Sequence, residues 1–70
     1  MSMSRKHYRE VAELIKSQVD EMYSTFVNDD EIGTGQAILF NITSGLATLF
    51  KIDNSQFDRQ KFMDACGIDW

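Results

Sequence analysis

Cys66 and His7 are the side chains best suited to nucleophilic or metal chemistry in this chain, and each type occurs once. One cysteine cannot form an internal disulfide, and one cysteine plus one histidine cannot complete a four-ligand zinc site within one chain. A reactive thiol needs a neighbouring base and an electropositive setting. Cys66 instead sits before Gly67 on the helical face of Phe62 and Ala65, and no spacing brings His7 to it. Cys66 therefore reads as a buried structural residue and His7 as an exposed helical one. Gly33-Thr34-Gly35-Gln36 lacks the length and the lysine of a phosphate-cradling loop. The other carboxylates fall in cap or ion-pair positions, leaving no acid/base pair for catalysis. The sequence points to no enzyme, no metal and no cofactor.

Charge is more informative than nucleophiles. The net charge is −4, yet residues 1–16 sum to +2, residues 17–31 to −5 and residues 32–70 to −1. The middle segment holds Asp20, Glu21, Asp29, Asp30 and Glu31 without a base, a natural face for a basic protein partner. Three adjacent acids do not supply the alternating ligands and terminal glutamate of a calcium loop. Asn28 to Gly33 reads as a solvated loop before the next helix. At the other end, Arg5, Lys6, Tyr8 and Arg9 form a basic cluster at a helix N-terminus, where the helix dipole disfavours positive charge. Their alternative role is contact with phosphates of DNA or a nucleotide, against which the net acidity counts.

Spacing supplies the elements that position these groups. Tyr8, Val11, Ala12, Ile15, Val19, Met22, Tyr23 and Phe26 recur at helical steps and predict a first helix over about 5–27. Ser4 is its expected N-cap, with Met3 stapled on Tyr8. Lys6–Glu10, Arg9–Glu13 and Lys16–Asp20 are opposite charges four apart. Residues 32–50 contain no charge. Ile38, Leu39, Ile42, Leu46, Leu49 and Phe50 give a wide apolar face, and Thr34 can cap a second helix over about 35–51. Six uncharged polar side chains and three glycines argue against a membrane span there. Such a helix is buried on more than one side, so one face meets the first helix and the other expects the third helix or a second copy of the chain. Asn41, Ser44, Gly45 and Thr48, a small polar stripe, are the expected oligomer interface.

The third helix is expected at about 59–66, with every boundary signal present. Asp58 fits the N-cap, Phe57 and Phe62 a hydrophobic staple, Gly67 the left-handed stop, and Ile68 its contact to Met63. Asn54-Ser55-Gln56 reads as the preceding turn. The result is a single all-α domain over 1–70, a helical hairpin with a short third helix closing one end. Seventy residues with 43% hydrophobic and 26% charged side chains suit a small globular domain rather than disorder. The lone cysteine and polar start suggest a reducing cytoplasm.

Asp53-Asn54-Ser55-Gln56-Phe57-Asp58-Arg59-Gln60-Lys61-Phe62-Met63-Asp64-Ala65-Cys66-Gly67 resembles the C-terminal signature of small proteins of tailed bacteriophages and prophages. That signature runs Asp-Asn-Pro-x-Phe-Asp-x-x-Arg-Phe-x-x-Ala-Cys-Gly. The opening Ser4-Arg5-Lys6-His7-Tyr8 is also similar to starts in that group. Ser55 replaces its proline and Lys61 its arginine; serine preserves turn chemistry, so the same fold is expected. The resemblance implies phage origin without an established activity. The expected function is that of a noncatalytic accessory protein in the bacterial host cytoplasm, binding a host or phage protein and inhibiting a host defence or regulatory factor.

Overall fold

The computed structural model describes residues 4–70. Three helices account for most of them: α1 (Arg5–Thr25), α2 (Asp29–Asp53) and α3 (Arg59–Ala65). No strand occurs among the described residues. Only three residues join α1 to α2, so the two run antiparallel as a hairpin. The molecule is elongated, 40 × 18 × 17 Å. The expected all-α fold, with a short third helix closing one end of a hairpin, is the observed one.

Local chemistry explains each boundary. Ser4 caps α1, and its backbone N–H donates to Nδ1 of the exposed His7 at 3.1 Å, so a histidine takes the place of a capping-box glutamate. The proposed packing of Met3 on Tyr8 lies outside the described residues. Of the three expected ion pairs along α1, Lys6–Glu10 closes, at 3.9 Å between exposed ends. The helix stops at Thr25 rather than 27, where Phe26 turns extended and its N–H bonds Met22 O at 2.9 Å.

The start of α2 corrects the sequence reading. Asp29, Asp30 and Glu31 are not a loop but the first turn of the helix, which begins six residues before the expected position. Asn28, not Thr34, is the cap. Its Oδ1 accepts from Glu31 N–H at 2.8 Å, and its Nδ2 donates to Glu31 Oε1 at 2.7 Å. Acids in a first turn are favoured by the positive end of the helix dipole. Thr34 turns its hydroxyl back to Asp30 O at 3.0 Å, as a threonine inside a helix does. At its far end α2 runs two residues past the expected 51, to Asp53, with Lys51 in the last turn.

The third helix follows its local signals closely. Asp58 Oδ1 accepts from Lys61 N–H at 3.1 Å, and the Phe57 and Phe62 rings meet edge-on at 5.4 Å. Ile68 N–H bonds Met63 O at 3.1 Å and Gly67 N–H bonds Asp64 O at 3.0 Å, the paired bonds of a Schellman stop. Gly67 has φ 76°, the left-handed conformation that this stop requires and that a side chain resists. Asn54 builds the preceding turn, its Oδ1 accepting from Gln56 N–H at 3.0 Å.

The core gathers where all three helices meet. Ala12, Ile15 and Val19 of α1 and Ala47 and Phe50 of α2 close on Phe57, Phe62, Met63, Cys66 and Ile68. Thr43 is also fully buried, and its hydroxyl has no hydrogen-bond partner. An unpaired buried hydroxyl carries a desolvation penalty that a methyl of the same shape avoids. Thr43→Val is therefore expected to raise unfolding free energy by about 1 kcal/mol. A urea titration monitored by circular dichroism checks this, and a lower midpoint for the variant would contradict it.

Candidate functional site

Because α3 has seven residues and α2 has twenty-five, the third helix cannot cover the whole hairpin. At the end nearest the α1–α2 connector, two helices alone enclose a groove of about 590 Å³. Met22, Phe26, Ile38 and Leu39 supply its apolar lining. Gly35 lets the helices close up at its base, since a Cβ there would stand 2.5 Å from Met22 Sδ. On the same hairpin, Gln36 Nε2 donates to Tyr23 Oη at 2.8 Å, a polar tie between α1 and α2.

The acidic residues divide around this groove. Glu21 from α1 and Asp30 and Glu31 from the first turn of α2 line it. Asp20 and Asp29 are exposed but do not line it. Folding therefore brings three of the five expected partner-binding acids to one apolar opening. Their convergence depends on the extra first turn of α2, which sequence spacing alone placed in a loop.

A second, larger cleft of about 700 Å³ lies between the start of α1 and the 54–65 region. Arg5, Tyr8 and Arg9 line it, and Lys61 and Gln56 join them. Lys6 does not; it points to Glu10. Lys61 was not foreseen as part of this cluster because only the docking of α3 on α1 brings it there. Asp58 also contributes to the wall, but it is occupied as the cap of α3. Tyr8 stacks in the core with Phe50 and Phe57 at 5.0 and 4.9 Å, and its hydroxyl is sealed from solvent without a partner.

The small polar stripe of α2 has a use inside the chain. Arg59 donates to Ser44 Oγ at 2.6 Å and to Thr48 Oγ1 at 2.9 Å, clasping α3 to α2. Asn41 and Gly45 stay exposed, and nothing lies within 4 Å of where a Gly45 side chain would be. Among the described residues, no three His, Cys, Asp or Glu side chains form a group able to hold a metal ion. No described helix is long and apolar enough to cross a membrane. No protein-family model matches the chain, and neither does any curated protein or solved structure with which it was compared.

Cys66 is fully buried, and burial pushes its thiol up to about 11. It is thus protonated and shielded at neutral pH, the opposite of an activated nucleophile. Ionisation is easier in the unfolded chain, so this thiol's contribution to stability is complete below about pH 9 and falls as pH climbs toward about 11. Alkylation by iodoacetamide at pH 8 is expected to be slow in the folded protein and fast in urea. Comparable rates in both would contradict the burial.

Proposed function

We propose that this chain is a noncatalytic binding protein whose α1–α2 groove receives a basic amphipathic segment of a partner protein. The supporting observation is the pairing of an apolar lining, Met22, Phe26, Ile38 and Leu39, with acids from two helices, Glu21, Asp30 and Glu31. An amphipathic helix laid in such a groove buries its apolar face, while lysines or arginines on its flanks meet the acids. The groove is open where α3 ends, so the incoming segment would occupy the place of a third helix. The likeness of residues 53–67 to phage protein endings supports a phage-encoded accessory protein acting in the host cytoplasm. Occupying a basic segment of a host defence or regulatory factor would inhibit it without any chemistry by this chain.

A second reading rests on the cleft that joins Arg5 and Arg9 to Lys61. Three cations beside one aromatic could contact phosphates of DNA or a nucleotide, with Lys6 close by in sequence. Such contacts release counterions, so binding would weaken steeply with salt. Single-stranded and duplex oligonucleotides titrated at low salt test it directly. The reading requires binding that Arg5→Gln and Arg9→Gln reduce, and no binding at low salt would end it.

The groove is tested with a synthetic amphipathic helix of leucines and lysines, followed by nuclear magnetic resonance. Shifts are expected at Met22, Phe26 and Leu39. Neutralising the acids together, Glu21→Gln, Asp30→Asn and Glu31→Gln, is expected to weaken binding by about tenfold or more. Lys61→Gln, far from the groove, should leave it unchanged. Equal affinity of the acid-neutral variant would refute the site.

A further inference from the structure

The side of α2 turned away from the core carries an apolar stripe whose first residue, Ile38, also lines the α1–α2 groove. Ile38, Ile42, Gly45, Leu49 and Ile52 follow one another at steps of four, three, four and three. That is the heptad spacing of a helix–helix seam. The four large residues are 55%, 55%, 62% and 78% exposed, in that order, while Thr43, Ala47 and Phe50 bury the opposite side of the same helix. Gly45, at the middle of the stripe, faces open space. Scattered exposed leucines are ordinary, but a continuous exposed seam is not.

We infer that this stripe is the contact surface for a second copy of the chain, paired antiparallel with α2 about Gly45. The stripe is self-complementary in that orientation. Counting outward from Gly45, Ile38 and Ile52 lie seven residues to either side, and Ile42 and Leu49 three and four. An antiparallel partner therefore sets Ile38 against Ile52 and Ile42 against Leu49 on both sides of a two-fold axis, as an isologous contact demands. The glycine at the axis lets the two backbones approach. Residues 32–50 carry no charge, so no ion need be desolvated along most of the seam.

Charge at the helix start selects the orientation. A parallel pair would bring Asp29, Asp30 and Glu31 of both copies together, with the helix dipoles aligned. The antiparallel pair holds those two acidic turns about 45 Å apart, from a rise of 1.5 Å per residue. Ser44 and Thr48 stay with Arg59 and are not required at the contact. The seam is only about 21 Å long on a helix about 10 Å across. That is well below the roughly 800 Å² per partner of a standard interface, so the pairing expected is weak and depends on concentration.

Light scattering of the full chain from about 1 µM to about 1 mM tests the pairing. The mass is expected to double across that range. Leu49→Lys with Ile52→Lys is expected to remain a single chain throughout, with unchanged circular dichroism, because both positions are exposed and neither lines the groove. A wild-type mass that never rises, or a doubled mass that survives the lysine pair, would overturn the inference. Orientation is read by oxidation: chains carrying Ile38→Cys should link to chains carrying Ile52→Cys. Efficient self-linking of Ile38→Cys chains would instead establish a parallel pair.

Discussion

Four aromatic rings hold this molecule together at one end. Phe50 contacts Tyr8, Phe57 and Phe62 with ring centroids 5.0 to 5.5 Å apart, and Phe57 contacts Tyr8 and Phe62 as well. One ring comes from the start of α1, one from the end of α2 and two from the C-terminal unit, so the cluster joins all three helices. Offset and edge-on pairs of this kind add to the area they bury. Tyr8 occupies its place in the cluster with an unsatisfied hydroxyl, which indicates that its ring matters more here than its polar tip. At the far end the hairpin has its own ties, the Gln36–Tyr23 bond and the close approach of Met22 to Gly35.

That arrangement has a geometric consequence. A seven-residue helix docked on a twenty-five-residue one leaves most of the longer helix without a third layer. The uncovered surface is of two kinds. Near the connector it is a groove between α1 and α2, and along the back of α2 it is an aliphatic seam that meets the groove at Ile38. None of the three described helices covers either surface. Both surfaces are therefore built into the length of α3 as much as into the identity of the residues that line them.

Local signals made the C-terminal unit readable from sequence. Cap, staple and glycine stop all lie within twelve residues, 57–68, and each depends on neighbours in the chain. The start of α2 was harder, because Asn28-Asp29-Asp30-Glu31 has the composition of a turn as well as that of a capped first turn. The choice between Asn28 and Thr34 as cap was settled by the reciprocal bonds between Asn28 and Glu31, which residue preferences alone do not weigh. Arg59 on Ser44 and Thr48, and Lys61 beside Arg5 and Arg9, depend on the docking of α3 and leave no trace in local spacing. The same applies to the outward stripe. Ile38, Ile42 and Leu49 lie in the charge-free run and Ile52 just beyond it, but which residues face away from the core follows from how the other helices pack on α2.

The acidic segment shows why position must be weighed before charge. Asp29, Asp30 and Glu31 are accounted for by the helix they begin: the dipole favours them, and Asn28 holds Glu31 in place. On their own they would be ordinary capping residues. Glu21 has no such explanation, since it sits in the last two turns of α1, where the dipole favours a cation. It is this residue, brought from a different helix to the same apolar opening, that sets the groove apart from a well-capped helix. Local stability accounts for two of the groove's three acids, and the third is placed against it.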